Sequence, residues 1–389
     1  MNVPRSLYFA TFTLTASIGD IFGLIASLQD ELGFANSALG LIAGASFFAG
    51  FIGQLWLAPF ADRGKTKSLL VGAVIAAALG TIWFAMAASV WELIAARALT
   101  GLGFGAFIPA ARAVVANVDP SRAGERLGRL AAIETSGFVT GPAIGAALNE
   151  IWGLDAPFIF LSIVLISMLP GLTRIKLSAE NALPQGSRLA TTRAVLSRRE
   201  AAGAILLGAA LFFPAGMYEA IWARFMEDLC ASTLFVGISL TMYGIPFAFT
   251  ASTAGKITDR IGPWRAAGFG LSIIIPMTFI YGFLTSPWLL MGLAMIEAIG
   301  QGVGAPACQA AMVKATDESE RATGQGMVGA ASTFGAGVAA LIAAPLYAGP
   351  GPEMTFIIVA CVVAVLGFLA FRLGSPKKTP VVSLSLIHI

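Results

Sequence analysis

Leu39 to Lys67 reads LGLIAGASFFAGFIGQLWLAPFADRGKTK. It is an uncharged run long enough for a membrane-crossing helix, closed by Asp62-Arg63 and then by Lys65 and Lys67. The arrangement returns 197 residues later in VGISLTMYGIPFAFTASTAGKITDRIG, Val236 to Gly262, which ends on Lys256 and Asp259-Arg260. About 20 apolar residues, coiled as a helix, cover the roughly 30 Å of hydrocarbon in a bilayer. Outward from these two stretches, twelve such runs fill the chain from 6–28 to 353–372, with short polar breaks between them. The composition agrees, since 57% of the 389 residues are hydrophobic and 12% are charged, far from the balance of a soluble domain.

In lipid, only helices and closed barrels satisfy every backbone polar group, and the short alternating segments of a barrel are absent here. The expected fold is therefore an all-α polytopic membrane protein with twelve transmembrane helices. No cleavable leader pattern precedes the first run. With the N-terminus in the cytoplasm, the breaks at 29–37, 149–155, 226–233, 286 and 348–352 hold no Lys or Arg. Those at 61–67, 114–126, 174–200, 258–265 and 312–322 hold many. Such an excess marks cytoplasmic loops, so both termini are expected in the cytoplasm and the chain in the cell's inner (cytoplasmic) membrane. The net charge of +3 then reports topology and contact with membrane lipid, and gives no reason to expect nucleic acid.

Cys230, Cys308 and Cys361 lie on different runs without metal-ligand spacing, so neither a disulfide nor a metal site is expected. The closing LSLIHI, Leu384 to Ile389, resembles the translation of a sequencing adapter and is set aside. His388, the single histidine, goes with it, and proton chemistry must rest on carboxylates.

The repeat extends beyond the opening stretch. Asp30-Glu31-Leu32, Gly40 and Asp62-Arg63 return 197 positions later as Glu227-Asp228-Leu229, Gly237 and Asp259-Arg260. Asp119, Gly128 and Gly137 return 198 later as Asp317, Gly326 and Gly335. Two six-helix halves are thus expected at 1–173 and 201–375, joined by a polar, basic linker at 174–200 and followed by a tail at 376–389.

GKITDRIG, Gly255 to Gly262, fits the pattern G-x-x-x-D-R-x-G in full, and APFADRGKTK at 58–67 approaches it with Ala58 at the first glycine position. On these motifs and on the two parallel halves, the chain resembles the major facilitator superfamily. The resemblance implies a transporter, not an enzyme, with its substrate site between the halves near mid-membrane. It also implies that Asp62, Arg63, Asp259 and Arg260 close the cytoplasmic gate, the aspartates by charge pairing and by facing a helix N-terminus. LIAARALTGLGFG, Leu93 to Gly105, resembles that superfamily's fourth-span pattern, with Thr100 in place of the usual glutamine.

Ionisable residues inside the spans are the most informative feature, because a charge at mid-bilayer costs at least ~2.5–3.5 kcal/mol and needs a cavity or a partner. They are Asp20, Arg97, Arg112, Glu134, Glu219, Arg224 and Glu297. Arg112 and Arg224 lie near span ends, within reach of the interface by snorkelling. At 1.5 Å per residue, Asp20, Arg97, Glu219 and Glu297 lie about 9–15 Å from the outer end of their spans. Spans one, four, seven and ten, which carry them, are the cavity-lining helices that the resemblance implies. Asp20 is expected to pair with Arg97 within the first half, with Glu219 and Glu297 as a second proton site or as the attraction for a cationic substrate. Glu134 is open to a gate contact or a functional role. Phe22, Tyr218, Trp222 and Phe225 lie close by in sequence and suit flat or cationic compounds.

SGFVTGPAIGAAL, Ser136 to Leu148, narrows the class. Gly128, Gly137, Gly141-Pro142 and Gly145 resemble the span-five signature of proton-coupled antiporters in the same superfamily, with its last glycine replaced by Ala146. The glycines at 137, 141 and 145 form one side-chain-free stripe for close helix packing, and Pro142 removes a helix hydrogen bond. The expectation is a proton-driven antiporter exporting small hydrophobic or cationic compounds, acting as a monomer, powered by the proton gradient without a cofactor. Its rival is a sugar or metabolite exporter or importer of the same fold.

Overall fold

A computed structural model describes residues 4–57, 60, 65–118, 123–175, 188–317 and 320–375. Asp62 and Arg63, Asp119 of the repeat, residues 176–187 of the linker and the tail from 376 onward lie outside the described residues. Among the described residues the first half contains α1 (Arg5–Leu32), α2 (Asn36–Ile52), α3 (Thr66–Met86), α4 (Val90–Val118), α5 (Ala123–Trp152), α6 (Ala156–Ser167) and α7 (Leu169–Thr173). α2 runs on through a π-helical turn, Gly53–Leu57. α8 (Arg188–Ser197) lies within the linker. The second half contains α9 (Arg199–Asp228), α10 (Thr233–Ile261), α11 (Pro263–Tyr281), α12 (Pro287–Ala315), α13 (Arg321–Ala348) and α14 (Pro352–Gly374).

Helix ends follow local chemistry. Gly33 ends α1 in the left-handed conformation, with φ of 69°, and its N–H returns to Gln29 O. Prolines open α11, α12 and α14, where a missing N–H costs nothing. The hydroxyls of Ser232 and Ser286 cap α10 and α12 by accepting from Phe235 N and Leu289 N. Among the described residues, eleven spans, α6 and α7 counting as one, are long and apolar enough to cross a membrane. The expected count of twelve exceeds this by α5, which is 30 residues long but diluted by Gly, Ser and Thr and by Glu125, Arg126, Arg129 and Glu134.

The two halves pack alike. α1 lies on α5 as α9 lies on α13, α2 on α4 as α10 on α12, and α3 on α4 as α11 on α12. The seam between the halves repeats too, with α2 against α13 and α5 against α10. Lipid supplies no hydrophobic drive between helices, so close approach at small residues has to hold such a seam. A Cβ on Gly40 would strike Ala340 O and Ala344, and one on Gly237 would strike Pro142 O and Ala146. Ala340 and Ala344 are the repeat partners of Pro142 and Ala146, 198 residues on. The same two-fold relation places Gly19 against Phe138 O and Gly216 against Ala336 O.

The Gly40 and Gly237 contacts lie toward one face of the bundle, here termed the far side, opposite the start of α1 and the linker. On the linker side, Gly128 of α5, Gly255 of α10 and Gly326 of α13 face open space, although all three helices belong to the seam. Among the described residues, α5 and α10 touch on the far side and not around Gly128 and Gly255, whereas α2 stays on α13 as far as Gln54, which bonds Thr333 at 3.5 Å. At the linker-side surface, Arg198 bonds Asp317 at 2.5 Å and Glu320 at 3.0 Å, tying the start of α9 to the α12–α13 connection. The Arg198 guanidinium holds the Asp317 carboxyl below its usual range. A depressed carboxylate contributes at neutral pH, and its contribution is lost as pH falls through the lowered value.

Gly216→Ala is expected to lower stability by about 1–3 kcal/mol, because its Cβ meets the Ala336 backbone. Gly72→Ala, at a position with nothing nearby, should leave stability unchanged or raised. Thermal unfolding of the two purified variants in detergent compares them.

Candidate functional site

Arg97 and Glu219 meet across the seam. α4 and α9 each place their residue about two turns from the far-side end, and Arg97 Nη2 donates to Glu219 Oε1. The side chains are 0% and 6% exposed, so the pair is shielded from solvent. Nε and Nη1 of Arg97 have no hydrogen-bond partner among the described residues. The expected pairing of Asp20 with Arg97 is not formed. Asp20 is 0% exposed, and both of its carboxylate oxygens lack a hydrogen-bond partner among the described residues. Packing explains the difference, because the Asp20 carboxyl lies against the α5 glycine stripe, where a Cβ on Gly145 would overlap Asp20 Oδ1. Arg97 remains the cation whose charge reaches it.

The stripe is a bed for α1. Gly137 faces Phe12 O and the Thr15 hydroxyl, Gly141 faces Ala16 O and Asp20 N, and Gly145 faces the Asp20 carboxyl. Pro142 sits on the seam, against Gly19 and Gly23 of α1 and Gly237 of α10. Thr241 of α10 donates to Val139 O at 2.9 Å, supplying a donor beside the proline interruption. Gly128 does not share in this packing and opens to the linker side.

Glu297 on α12 sits apart from the Arg97 group and is 2% exposed. Tyr218 Oη lies 2.9 and 3.0 Å from its two oxygens, and Tyr281 Oη donates to Oε2 at 2.7 Å. Tyr218 also bonds Thr278 Oγ1 at 3.1 Å. Trp222 stacks edge-on against both tyrosines, with ring centroids 5.4 and 5.6 Å away, and then against Phe225. Phe22 is buried and packs near Phe138. Sequence reading reached Tyr218 and Trp222 through their closeness to Glu219. It missed Tyr281, whose signal is a phenol at the end of an otherwise apolar span.

At the far-side rim, Arg224 bonds Asp30 of the first half at 2.5 Å and Asp228 at 2.8 Å, and Tyr347 Oη donates to Asp228 at 2.5 Å. Beside it, Ser27 bonds Glu227 at 3.3 Å and Thr233 at 3.0 Å. Arg224 is therefore a clasp between the halves and not a side chain snorkelling to the interface. The two contacts are images of one another, since Ser27 and Asp30 are the 197-residue repeat partners of Arg224 and Glu227. On the linker side, Arg112 bonds Glu134 at 2.9 Å while 53% exposed. Arg112 is the more exposed member of this pair, with the Glu134 side chain 21% exposed. Asp259 and Arg260, the expected gate residues of the second copy, are exposed on the last turn of α10 and make no ion pair with another described residue.

A two-fold bundle with buried carboxylates on both sides of its seam is the architecture of a carrier. The chain belongs to the Major Facilitator Superfamily, whose family model matches residues 7–219 and again 204–385. It is 27% identical to the multidrug resistance protein MdtG of Serratia proteamaculans (strain 568) over 333 residues, 80% of each chain. MdtG of Proteus mirabilis (strain HI4320) is 27% identical over 321 residues, 78% of each chain. Among solved structures, a bacterial homologue of the human lysosomal transporter Spinster, described as inward-facing and occupied, superposes with a TM-score of 0.78 at 15% identity, covering 95% of each chain. The nucleoside transporter NupG gives 0.77 at 14% identity, over 97% of this chain and 100% of its own.

Replacing Arg97 alone by Ala strands Glu219 without its cation, and a loss of about 3–5 kcal/mol is expected. Removing Glu219 as well should recover much of that loss in a thermal-unfolding double-mutant cycle. Asp30→Ala should loosen the clasp, so that a cysteine placed at Ser27 reacts faster with a membrane-impermeant maleimide.

Proposed function

We propose that the chain is a proton-driven antiporter that exports small hydrophobic or cationic compounds across the inner (cytoplasmic) membrane. The linker side is taken as cytoplasmic from its excess of Lys and Arg, which puts both termini in the cytoplasm and makes the described conformation inward-open. The carrying observation is that one guanidinium, Arg97, is bonded to Glu219 in the other half while Asp20 is left without a donor. The extended similarity to proteins named for multidrug resistance supports export.

An isolated buried carboxylate is far costlier than the neutral acid. In the inward-open state Asp20 therefore carries a proton, and Arg97 is free to hold Glu219 and keep the far side shut. Release of that proton to the cytoplasm leaves an Asp20 carboxylate that draws Arg97 back into the first half. Glu219 loses its cation and becomes available to a positively charged or polarised substrate. With the inter-half pair broken, the halves rock, the far side opens and the substrate leaves. A proton entering from outside neutralises Asp20, returns Arg97 to Glu219 and resets the carrier. Substrate and proton thus compete for one arginine, which is antiport. The carrier acts as a monomer in lipid, with the proton gradient as its energy source and no bound cofactor.

Energised inverted vesicles carrying the protein should accumulate a fluorescent lipophilic cation, and Asp20→Asn should reduce accumulation to the background of empty vesicles while the folded yield is unchanged. Wild-type protein that moves none of a panel of cationic and neutral compounds, or an Asp20→Asn variant that still concentrates dye when a proton gradient is applied, would refute the reading.

A further inference from the structure

We propose that Glu297, held by Tyr218 and Tyr281, forms a second proton-binding site, confined to the C-terminal half and exchanging its proton with water through the Tyr218 hydroxyl. No lysine, arginine or histidine among the described residues pairs with Glu297, although its side chain is buried in the middle of α12. The groups around it are those of a proton carrier. α9 presents Tyr218 and, bonded elsewhere, Glu219; α10 presents Tyr243; α11 presents Tyr281 and Thr278. α13 carries its ionisable groups at its two ends, Arg321 and Tyr347, and Lys314 stands at the linker-side end of α12 itself.

This cage satisfies either protonation state without a cation. When ionised, the carboxylate accepts from both phenols, with Tyr218 at 2.9 Å and Tyr281 at 2.7 Å. When neutral, its O–H donates to Tyr218 Oη, which turns its own hydrogen toward Thr278 Oγ1 at 3.1 Å, and Tyr281 continues to donate to the other oxygen. Release breaks the carboxyl O–H bond, passes the proton to water at the half-buried Tyr218 and leaves the carboxylate between two donors. Asp20 has no such provision, since its oxygens meet a glycine stripe instead of hydroxyls. The two carboxyls are therefore different devices, one governed by a shared arginine and one by phenols.

Tyr218 and Glu219 are neighbours on α9, one holding Glu297 within the half and the other holding Arg97 across the seam. The role in transport rests on the proton-driven reading above; binding of the proton at Glu297 does not.

Infrared difference spectra of the purified protein in lipid, recorded between acid and alkaline buffer, test the site without any substrate. The expected result is a protonated-carboxyl C=O band that disappears in alkali in wild type and in Asp20→Asn, and is missing from Glu297→Gln. Tyr218→Phe, which leaves the carboxyl in place, should shift the midpoint of that band, whereas Asp20→Asn should not. Identical titrating bands in Glu297→Gln and wild type, or a midpoint unmoved in Tyr218→Phe, would overturn the proposal. Should wild-type vesicles accumulate no dye while the band is assigned to Glu297, the export reading alone fails.

Discussion

A guanidinium buried at membrane depth needs an anion beside it, and Arg97 finds its anion in the opposite half of the chain. Much else in the arrangement depends on that bond. It crosses the seam between the two halves, so its geometry depends on how they sit against each other. It also leaves Asp20, in the same half as Arg97, without a counter-charge. Two carboxyls and one arginine cannot all be satisfied as ions at once, and a proton is the smallest particle that resolves the conflict.

The seam around this group is built differently from the group itself. Its packing follows the repeat closely, with Gly40 on Ala340 and Gly237 on Pro142, and so does the packing inside each half, with Gly19 on Phe138 and Gly216 on Ala336. The buried charges break the repeat. Phe22 stands where Glu219 has its counterpart and Met217 where Asp20 has its own, and the positions matching Arg97 and Glu297 are uncharged. In the proposed cycle the symmetric seam serves either opening, and the charges that break the repeat give that cycle its direction.

Much of the fold was legible in the residues. Apolar runs, the distribution of Lys and Arg and the offset of 197 residues lead to two parallel helical halves, because bilayer thickness and backbone hydrogen bonding leave few other forms. The buried ionisable residues were legible for the same reason, since an ion in an apolar run is an exception that needs a cause. Their partners were not. Asp20 and Arg97 lie in one half, which makes them the natural pair, yet the absence of a Cβ at Gly145 lets Asp20 settle against α5 and leaves Arg97 to Glu219. Arg224 sits near a helix end, where snorkelling is the simpler reading, and the image relation between Asp30–Arg224 and Ser27–Glu227 emerges once both halves are seen together. Pairings across the seam depend on three-dimensional register, which spacing along one chain does not encode.

The contact of Asp20 with Gly145 has an evolutionary side. An acid at that turn of α1 requires a residue without a Cβ on the facing turn of α5, so neither position can drift alone. The chain carries a record of the alternative in its own second half, where the repeat partners of Asp20 and Gly145 are Met217 and Ala343, both fully buried. Acid with glycine in one copy and thioether with methyl in the other form two solutions to a single packing problem.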